Sequence, residues 1–253
     1  MPEVVLPYDR AIAPQETYYW CGPASTQMVL NSRGVFRTEP DLARRMGTHT
    51  GGTDHIGLPA RVLNEELGGG YIVRTMPNDP PNSYQKAVLW DDIRRSVNAG
   101  YGVVANIVVP PNNYPRGVKG SISPAYSGGV VYHYIAVMGY DDEYPGGAVW
   151  IADSGFRPFG YWMSLEQLAS AIPPKGYACK PVGDLVKDER GIQFQNSWGH
   201  TVDEKTFLEY SDKRLKSIDE QFTTRYPQLG GFTLLGAISR ILKEVEKRGT
   251  DGR

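Results

Sequence analysis

One cysteine of this sequence stands where a helix could activate it for chemistry. Cys21 is followed by Gly22, Pro23 and a mainly apolar run up to Leu30, which predicts a helix with proline in its first turn. The positive end of the helix dipole would stabilise a thiolate there and lower the pKa of Cys21. The sequence therefore predicts a nucleophilic cysteine, with a buried structural cysteine as the alternative.

Gln15 lies six residues before Cys21 and suits a second task in the same reaction. When a thiolate attacks an amide carbonyl, negative charge develops on the carbonyl oxygen and needs hydrogen-bond donors. The backbone N–H of Cys21 and the side-chain amide of Gln15 would provide two such donors. The alternative is that Gln15 is an ordinary surface residue.

A cysteine nucleophile also needs a base that takes its proton and returns it to the leaving amine. The sequence has four histidines. We expect His133 to be the base, because it lies in a predicted strand. The other three histidines lie in predicted loops, at His49, His55 and His200.

Counting along a predicted hairpin supplies the third member of the site. Residues 131–140 and 148–153 are predicted strands, and the turn residues 141–147 would join them. Asp153 would then lie across from His133, or one diagonal away, on the same face of the sheet. An ionised carboxylate there would orient the imidazole and stabilise its protonated form. The alternative is that Asp153 only starts a turn.

A metal site is a weaker hypothesis. His49, Asp54 and His55 are close in sequence, but no fourth ligand is evident. We favour a loop beside the site, with Thr53 or Asp54 capping the helix that follows. We expect no metal and no other cofactor.

Two further residues have competing interpretations. Cys179 is expected to be a structural or free thiol, because a disulfide with Cys21 would consume the best nucleophile. Asn196 stands in an Asn-Ser-Trp-Gly motif that plant-type papain enzymes carry after their catalytic histidine. Because it lies far downstream of His133, we do not expect it to be the third member.

Composition limits the partners. The chain has 253 residues, a net charge of −1 and 40% hydrophobic residues, enough for one domain with a real core plus an appendage. The near-zero charge argues against a nucleic-acid partner. No apolar run is long enough to cross a membrane, so we expect no membrane insertion. Without a basic start or a signal-like apolar segment, a cytoplasmic location is expected.

The hydrophobic pattern predicts helices first and an antiparallel sheet later, which is an α+β layout. A long connection, 110–129, is expected to border the substrate groove. We predict a peptidase domain over 1–182 and a helical linker or appendage over 183–253. Besides the segment that starts at Cys21, the predicted helices are 39–46, 58–67, 89–98 and one that follows a turn within 161–170; the predicted strands are 71–74, 101–109, 131–140 and 148–153.

Taken together, Gln15, Cys21-Gly22-Pro23, the segment 133–141 and the segment 150–153 resemble the papain-like cysteine peptidases of the bacteriocin-processing type. In that group an oxyanion glutamine, a nucleophilic cysteine, a histidine and an aspartate follow in this order. The resemblance covers roughly residues 1–180. It implies N-terminal helices packed on an antiparallel sheet.

Residues 19–34, 51–57 and 194–200 more narrowly resemble the N-terminal peptidase module of mycobacteriophage endolysin A and the stretch that follows it. This implies a peptidoglycan endopeptidase whose substrate is the stem or cross-link peptide of a mycobacterial wall. The enzyme would wait in the host bacterial cytoplasm until a holin opens the membrane. Further lysin modules or a wall-binding module would belong to a longer protein.

Several residues near Cys21 and His133 are expected to bind substrate, with ordinary core packing as the alternative for the aromatic ones. We assign this role to Trp20, Gly22, Tyr132 and Tyr134. Two other functions remain open at this point. One is a protease that processes leader peptides, and the other is a non-catalytic wall-binding module on a peptidase scaffold.

Overall fold

We describe the protein from a computed structural model. The structure describes residues 3–182 and four short strands at 194–195, 201–202, 225–226 and 232–233. The chain divides into two units, Met1–Asp184 and Leu185–Arg253. The helices expected within 183–253 lie outside the described residues, so the helical appendage stays a prediction. No helix of the described residues is long and apolar enough to cross a membrane.

A seven-stranded sheet forms the centre of the first unit, and every strand pair in it is antiparallel. Its path runs β2-β7-β3-β4-β5-β6, and β1 pairs with β4 outside this path. The strands are β1 (Glu3–Val5), β2 (Ile72–Thr75), β3 (Val103–Val109), β4 (Val131–Asp141), β5 (Ala148–Asp153), β6 (Gly160–Ser164) and β7 (Gly176–Cys179).

Among the described residues, five α-helices accompany this sheet, so the predicted α+β class is confirmed. They are α1 (Cys21–Asn31), α2 (Glu39–Met46), α3 (Gly57–Leu67), α4 (Ser83–Asn98) and α5 (Leu165–Ala171). Helix α1 packs against β4. Its Met28, Val29 and Leu30 are fully buried and join the same core cluster as Ile135 and Val137 of β4. This packing brings the start of α1 to the strand that carries His133.

In the second unit, β8 (Phe194–Gln195) pairs with β9 (Thr201–Val202), and β10 (Arg225–Tyr226) pairs with β11 (Phe232–Thr233). Both pairs are antiparallel.

Strand β4 is the longest strand of this sheet and pairs with three others, β1, β3 and β5. Residues 131–137 pair with β3, and residues 139–141 pair with β1 along the same edge. On the other edge β4 pairs with β5, with a bulge between Val137 and Gly139. A Cβ at Gly139 would lie 2.5 Å from the Val4 carbonyl oxygen, so the close approach of β1 requires glycine.

Helix capping explains why the two ends of α2 were predicted correctly. Helix α2 begins and ends as predicted, because Thr38 caps it through the Asp41 N–H and Gly47 ends it in the left-handed region at φ 65°. Ser164 caps α5 through the Gln167 N–H at 3.2 Å, inside the segment 161–170 that was predicted to hold a turn and then a helix.

Three local predictions were wrong. Helix α4 begins at Ser83, six residues before the predicted start, because Asn82 and Gln85 form a reciprocal capping box there. Neither Thr53 nor Asp54 caps α3, whose N-cap is Ile56. Strands β6 and β7 were missed. Both are short, and β7 carries Gly176, which weakens a strand pattern.

The long connection between β3 and β4 folds back along β6 instead of hanging free. Val118 N–H donates to the Trp162 carbonyl at 2.9 Å, and Trp162 N–H donates to Ser121 Oγ at 3.0 Å. Tyr114 Oη donates to the Gly129 carbonyl at 2.5 Å. Most of the segment is thus fixed at the edge of the sheet.

Candidate active site

Cys21 is the first residue of α1, and only 8% of it is exposed. Trp20, the residue before it, makes no side-chain cap. No side chain of the N-cap residue therefore accepts from the first N–H groups of α1, which at a helix start have no intrahelical partner. The sulfur accepts hydrogen bonds from the backbone of Gly22 and Tyr134.

His133 and Asp153 meet across the hairpin as predicted from its register. Asp153 pairs with Ile135, so it lies one diagonal from His133 on the same face. The His133 Nε2 and Asp153 Oδ1 atoms are 2.9 Å apart. His133 also hydrogen-bonds with Cys21. Because Nε2 is engaged by the carboxylate, Nδ1 is the nitrogen left for the thiol.

The electrostatics of these three groups favour an ion pair. Burial alone would raise the pKa of Cys21, but the hydrogen bond and charge of His133 lower it below the ordinary thiol value. Burial opposes the charged form of His133, yet the Asp153 charge and hydrogen bond, together with Cys21, raise its pKa to about 10. The two opposite shifts favour a thiolate beside an imidazolium over a neutral thiol beside a neutral imidazole.

Asp153 is fully buried and accepts hydrogen bonds from five donors. Oδ1 accepts from His133 and from the N–H groups of Gly155 at 2.9 Å and Phe156 at 3.2 Å. Oδ2 accepts from the hydroxyls of Tyr126 at 2.8 Å and Tyr161 at 3.0 Å. Burial raises the pKa of Asp153, but His133 and these donors outweigh it, so the pKa is lowered and the carboxylate stays ionised.

Aromatic rings enclose the imidazole. Tyr126 stacks on Phe156 with ring centroids 3.8 Å apart, and both rings meet His133 edge-on, at 6.1 Å and 5.5 Å. A Cβ at Gly155 would lie 2.9 Å from the imidazole Cε1 and 3.6 Å from Gln15 Oε1. Gly155 is thus wedged between the base and the predicted oxyanion residue.

Gln15 is held in a fixed orientation beside this cluster. Its Oε1 accepts from Ser154 Oγ at 2.9 Å, and its backbone N–H donates to the Ser154 carbonyl at 3.0 Å. Its Nε2 donates to the Thr17 carbonyl at 2.7 Å. Because an amide nitrogen carries two hydrogens, one remains for a substrate oxygen.

The 47–56 loop packs directly on the residue after the nucleophile. Gly22 faces Thr53 so closely that a Cβ at position 22 would lie 2.4 Å from Thr53 Oγ1. Gly22 is buried, so what it contributes to the site is close packing. Tyr134 Oη donates to the Thr53 carbonyl at 3.1 Å.

The expected groove residues fall into two groups. Tyr134 is only 4% exposed and accepts from Asn106 Nδ2 at 3.1 Å, so its ring lies behind the site and does not line a groove. Tyr132 is 68% exposed and lies near Lys175, whose Nζ is 5.8 Å from the ring. Trp20 is half-buried and packs edge-on against Tyr19. For Tyr132 and Trp20, substrate binding stays a prediction.

The possible metal ligands do not converge. His49 Nε2 and Asp54 Oδ1 are 2.9 Å apart at the surface, whereas the His55 ring lies against Gly57. Among the described residues, no group of three or more His, Cys, Asp or Glu side chains could hold a metal ion.

Both cysteines are free. Cys179 is fully buried in β7, where burial and the nearby Asp92 charge raise the pKa of its thiol, so it is a structural thiol. Asn196 lies outside the described residues.

Four residues around the catalytic candidates were not expected from the sequence: Tyr126, Ser154, Phe156 and Tyr161. Two of them, Ser154 and Phe156, follow Asp153 closely, and a turn that starts at Asp153 would have indicated that they lie near the site. Tyr126 and Tyr161 carry no such signal, because only the folded sheet edge brings them to Asp153.

Comparison with protein families bears on what this arrangement is. The model described as the Peptidase_C39 like family matches residues 8–169, a span that includes Gln15, Cys21, His133 and Asp153. The chain belongs to this family. The predicted peptidase family is thereby confirmed, and the protein is a cysteine peptidase.

Solved structures of the same kind are also similar to this chain. A C39-like peptidase from Bacillus anthracis has 16% identity and a TM-score of 0.45, covering 74% of this chain and all of that one. The peptidase domain of Streptococcus ComA, a bifunctional ABC transporter of a quorum-sensing pathway, has 17% identity and a TM-score of 0.41. That alignment covers 66% of this chain and 95% of the other. No curated protein matches.

Proposed function

We propose that this peptidase is a phage endolysin enzyme that hydrolyses amide bonds in peptidoglycan stem or cross-link peptides of mycobacterial cell walls. The supporting observation is where the resemblance lies. Residues 19–34 and 51–57, which resemble the endolysin module, pack together at the nucleophile through Gly22 and Thr53. The likeness therefore concerns the part of the fold that a substrate would meet.

The proposed reaction begins at the Cys21–His133 ion pair. The thiolate attacks the substrate carbonyl carbon, and the oxygen takes on negative charge facing the Cys21 N–H and Gln15 Nε2. His133 donates its Nδ1 proton to the departing amine as the C–N bond breaks, which leaves a thioester on Cys21. His133 then removes a proton from water, and the water oxygen attacks the thioester and releases the acid. The C–S bond breaks to give the thiolate, which restores the Cys21–His133 ion pair.

Asp153 has an orienting role in this scheme. Its bond to Nε2 fixes the imidazole so that Nδ1 faces the sulfur. The four other donors keep Asp153 ionised although it is fully buried. No cofactor is needed for any step.

The biological setting belongs to the same proposal. The enzyme would collect in the host bacterial cytoplasm and reach the wall after a holin opens the membrane. The partner would be the peptidoglycan peptide, with neither nucleic acid nor membrane insertion involved. Further lysin modules or a wall-binding module would complete a longer protein.

The test is mass spectrometry of soluble fragments released from purified mycobacterial peptidoglycan. Wild type should convert cross-linked dimers into monomers, and the new termini would identify the bond. Cys21→Ala should release nothing, whereas Cys179→Ala, the matched change at the other cysteine, should retain release.

Two outcomes would redirect the proposal. If wild type leaves peptidoglycan intact but cleaves a leader peptide from its precursor, the enzyme processes leader peptides. If wild type and Cys21→Ala bind walls equally and neither cleaves any peptide, the domain acts as a wall-binding module.

A further inference from the structure

Glu39 is a buried carboxylate that the proposed reaction does not use. It is the first residue of α2 and is 1% exposed, far more buried than glutamates usually are without a partner cation. Within the described part of the chain, no cation pairs with it. Its one polar contact there crosses 23 residues: Oε2 accepts from the Glu16 backbone N–H at 3.0 Å.

This contact is next to the predicted oxyanion residue. Glu16 directly follows Gln15, and the segment 15–17 is fixed at two places. Ser154 holds Gln15 on one side, and Glu39 holds Glu16 on the other. Gln15 Nε2 also depends on this segment, because it donates to the Thr17 carbonyl. A change at Glu39 would therefore move the backbone that aims the amide.

We propose that Glu39 is a positioning residue, whose ionised carboxylate holds the Glu16 N–H and thereby aims the Gln15 amide at the oxyanion. The proposal rests on the oxyanion role given to Gln15 under the proposed function. A charged acceptor makes a shorter and stronger hydrogen bond than a neutral one, so ionisation tightens the segment.

The charges around Glu39 place this effect near neutral pH. Burial raises the pKa of Glu39 to about 7, the Glu16 N–H lowers it in part, and the negative charge of the Glu16 side chain raises it again. The remaining groups at the start of α2 are Thr38, which caps the helix, and Asp41, which pairs with Arg44 and Arg45. Glu39 is thus protonated in mild acid and ionised in mild base.

A raised carboxyl pKa also means that the folded state prefers the protonated form. The fold loses stability as pH rises from about 4.5, the ordinary value, to about 7, because ionisation of Glu39 then acts against burial. A neutral glutamine would avoid this cost. An ionised Glu39 destabilises the fold, and a buried charge of this kind is a candidate for a functional role.

Two reactions of Cys21 distinguish a positioning role of Glu39 from a general disturbance of the fold. Alkylation by iodoacetamide requires only the thiolate. Acylation by p-nitrophenyl acetate also requires an oxyanion site, because the thiolate attacks the ester carbonyl before nitrophenolate leaves. Neither reaction needs the natural substrate, and Cys21→Ala gives the background for both.

The experiment measures both rates between pH 6 and 8.5 for wild type, Glu39→Gln, Gln15→Ala and the double variant. At pH 8, Glu39→Gln should be acylated about tenfold more slowly than wild type, less than the roughly 100- to 1000-fold typical of a lost donor. At pH 6 the two proteins should agree. Alkylation should be unchanged, and Glu39→Gln should add nothing to Gln15→Ala. Glu143→Gln, at an exposed glutamate, should match wild type throughout.

Equal acylation of wild type and Glu39→Gln at pH 8 would overturn the proposal. So would an additive loss in the double variant, because Glu39 would then act independently of Gln15. Wild type alone offers a further check, since a constant ratio of acylation to alkylation across pH 7 also overturns it. Failure of wild type to acylate at Cys21 would instead refute the cysteine mechanism itself. Thermal unfolding should show Glu39→Gln gaining stability over wild type at pH 8 relative to pH 6.

Discussion

The Tyr126 hydroxyl lies 2.8 Å from the Asp153 carboxylate, although the two residues are 27 positions apart. Tyr126 belongs to the connection between β3 and β4, and Tyr161 of β6 donates to the same oxygen at 3.0 Å. Two separate parts of the sheet edge therefore hold the buried group that orients His133. Tyr126 and Tyr161 thus support His133 through Asp153, without a hydrogen bond of their own to the imidazole.

Removing one of these hydroxyls should weaken both the fold and the site. Hydrogen bonds to a charged group contribute about 1.5–3 kcal/mol, so Tyr126→Phe should lower the free energy of unfolding by about that amount. Peptide hydrolysis should fall several-fold, because the pKa of Asp153 rises and its hold on His133 loosens. Tyr161→Phe should behave similarly.

Tyr140→Phe is the control for this pair, because its hydroxyl donates to Asn98 away from the site. It should cost stability without changing hydrolysis at a temperature where the protein is folded. Chemical denaturation and steady-state kinetics provide both measurements. Unchanged hydrolysis in both Tyr126→Phe and Tyr161→Phe would contradict the orienting role.

Asp153→Asn should remove the charge that stabilises the imidazolium. The pKa of His133 should fall from its raised value, and the thiolate at Cys21 should lose its partner at neutral pH. We expect hydrolysis to drop by roughly 100-fold or more, as losses of an orienting carboxylate do. In the pH–rate profile, activity should be lost at a lower alkaline pH than in wild type. Loss of activity at the same alkaline pH as in wild type would argue against the orienting role of Asp153.

The Cys21–His133 pair predicts a broad pH range for activity. Since the pKa of Cys21 is lowered, the thiolate persists below the ordinary thiol range and is lost only on acidification. Since the pKa of His133 is raised to about 10, the proton for the leaving amine is lost only above that pH. Hydrolysis should therefore follow a bell-shaped profile between these limits, measurable as kcat/KM against pH.

His133→Ala tests whether His133 activates the Cys21 thiol. Burial would then raise the pKa of Cys21, and iodoacetamide alkylation at pH 7 should slow by at least roughly tenfold, because an ordinary thiol is only a few per cent ionised there. His55→Ala, at an exposed histidine, should alkylate like wild type. Equal rates in both variants would show that His133 does not activate the thiol.

Gln15→Ala should remove one donor from the developing oxyanion. Acylation by p-nitrophenyl acetate should fall roughly 100- to 1000-fold, while alkylation of Cys21 stays unchanged. Ser154→Ala should reduce acylation less, because it frees Gln15 Oε1 but leaves the backbone bond to Ser154 in place. If Gln15→Ala slowed both reactions equally, its role would be structural.

Much of the site could be predicted because it depends on local rules. Proline in a first turn placed Cys21 at a helix start, and the length of the hairpin placed Asp153 one diagonal from His133. These follow from periodicity and register, which a sequence displays directly.

The missed features depend on packing between distant segments. Tyr126 reaches Asp153 only because the connection before β4 folds along β6. Tyr134 was expected in a groove because it neighbours His133, but its contacts with Thr53 and Asn106 bury it. Glu39 was not predicted to lie near the site. No spacing in the sequence indicated that it would reach Glu16.

Gly155 offers a way to capture the enzyme with substrate in place. A methyl group there would lie 2.9 Å from the His133 ring, too close without a shift of the imidazole. Gly155→Ala would thus disable proton transfer while the thiol and every charged side chain remain chemically intact. Crystals of such a variant soaked with a peptide would hold an uncleaved complex, from which the contacts that select the scissile bond could be read directly.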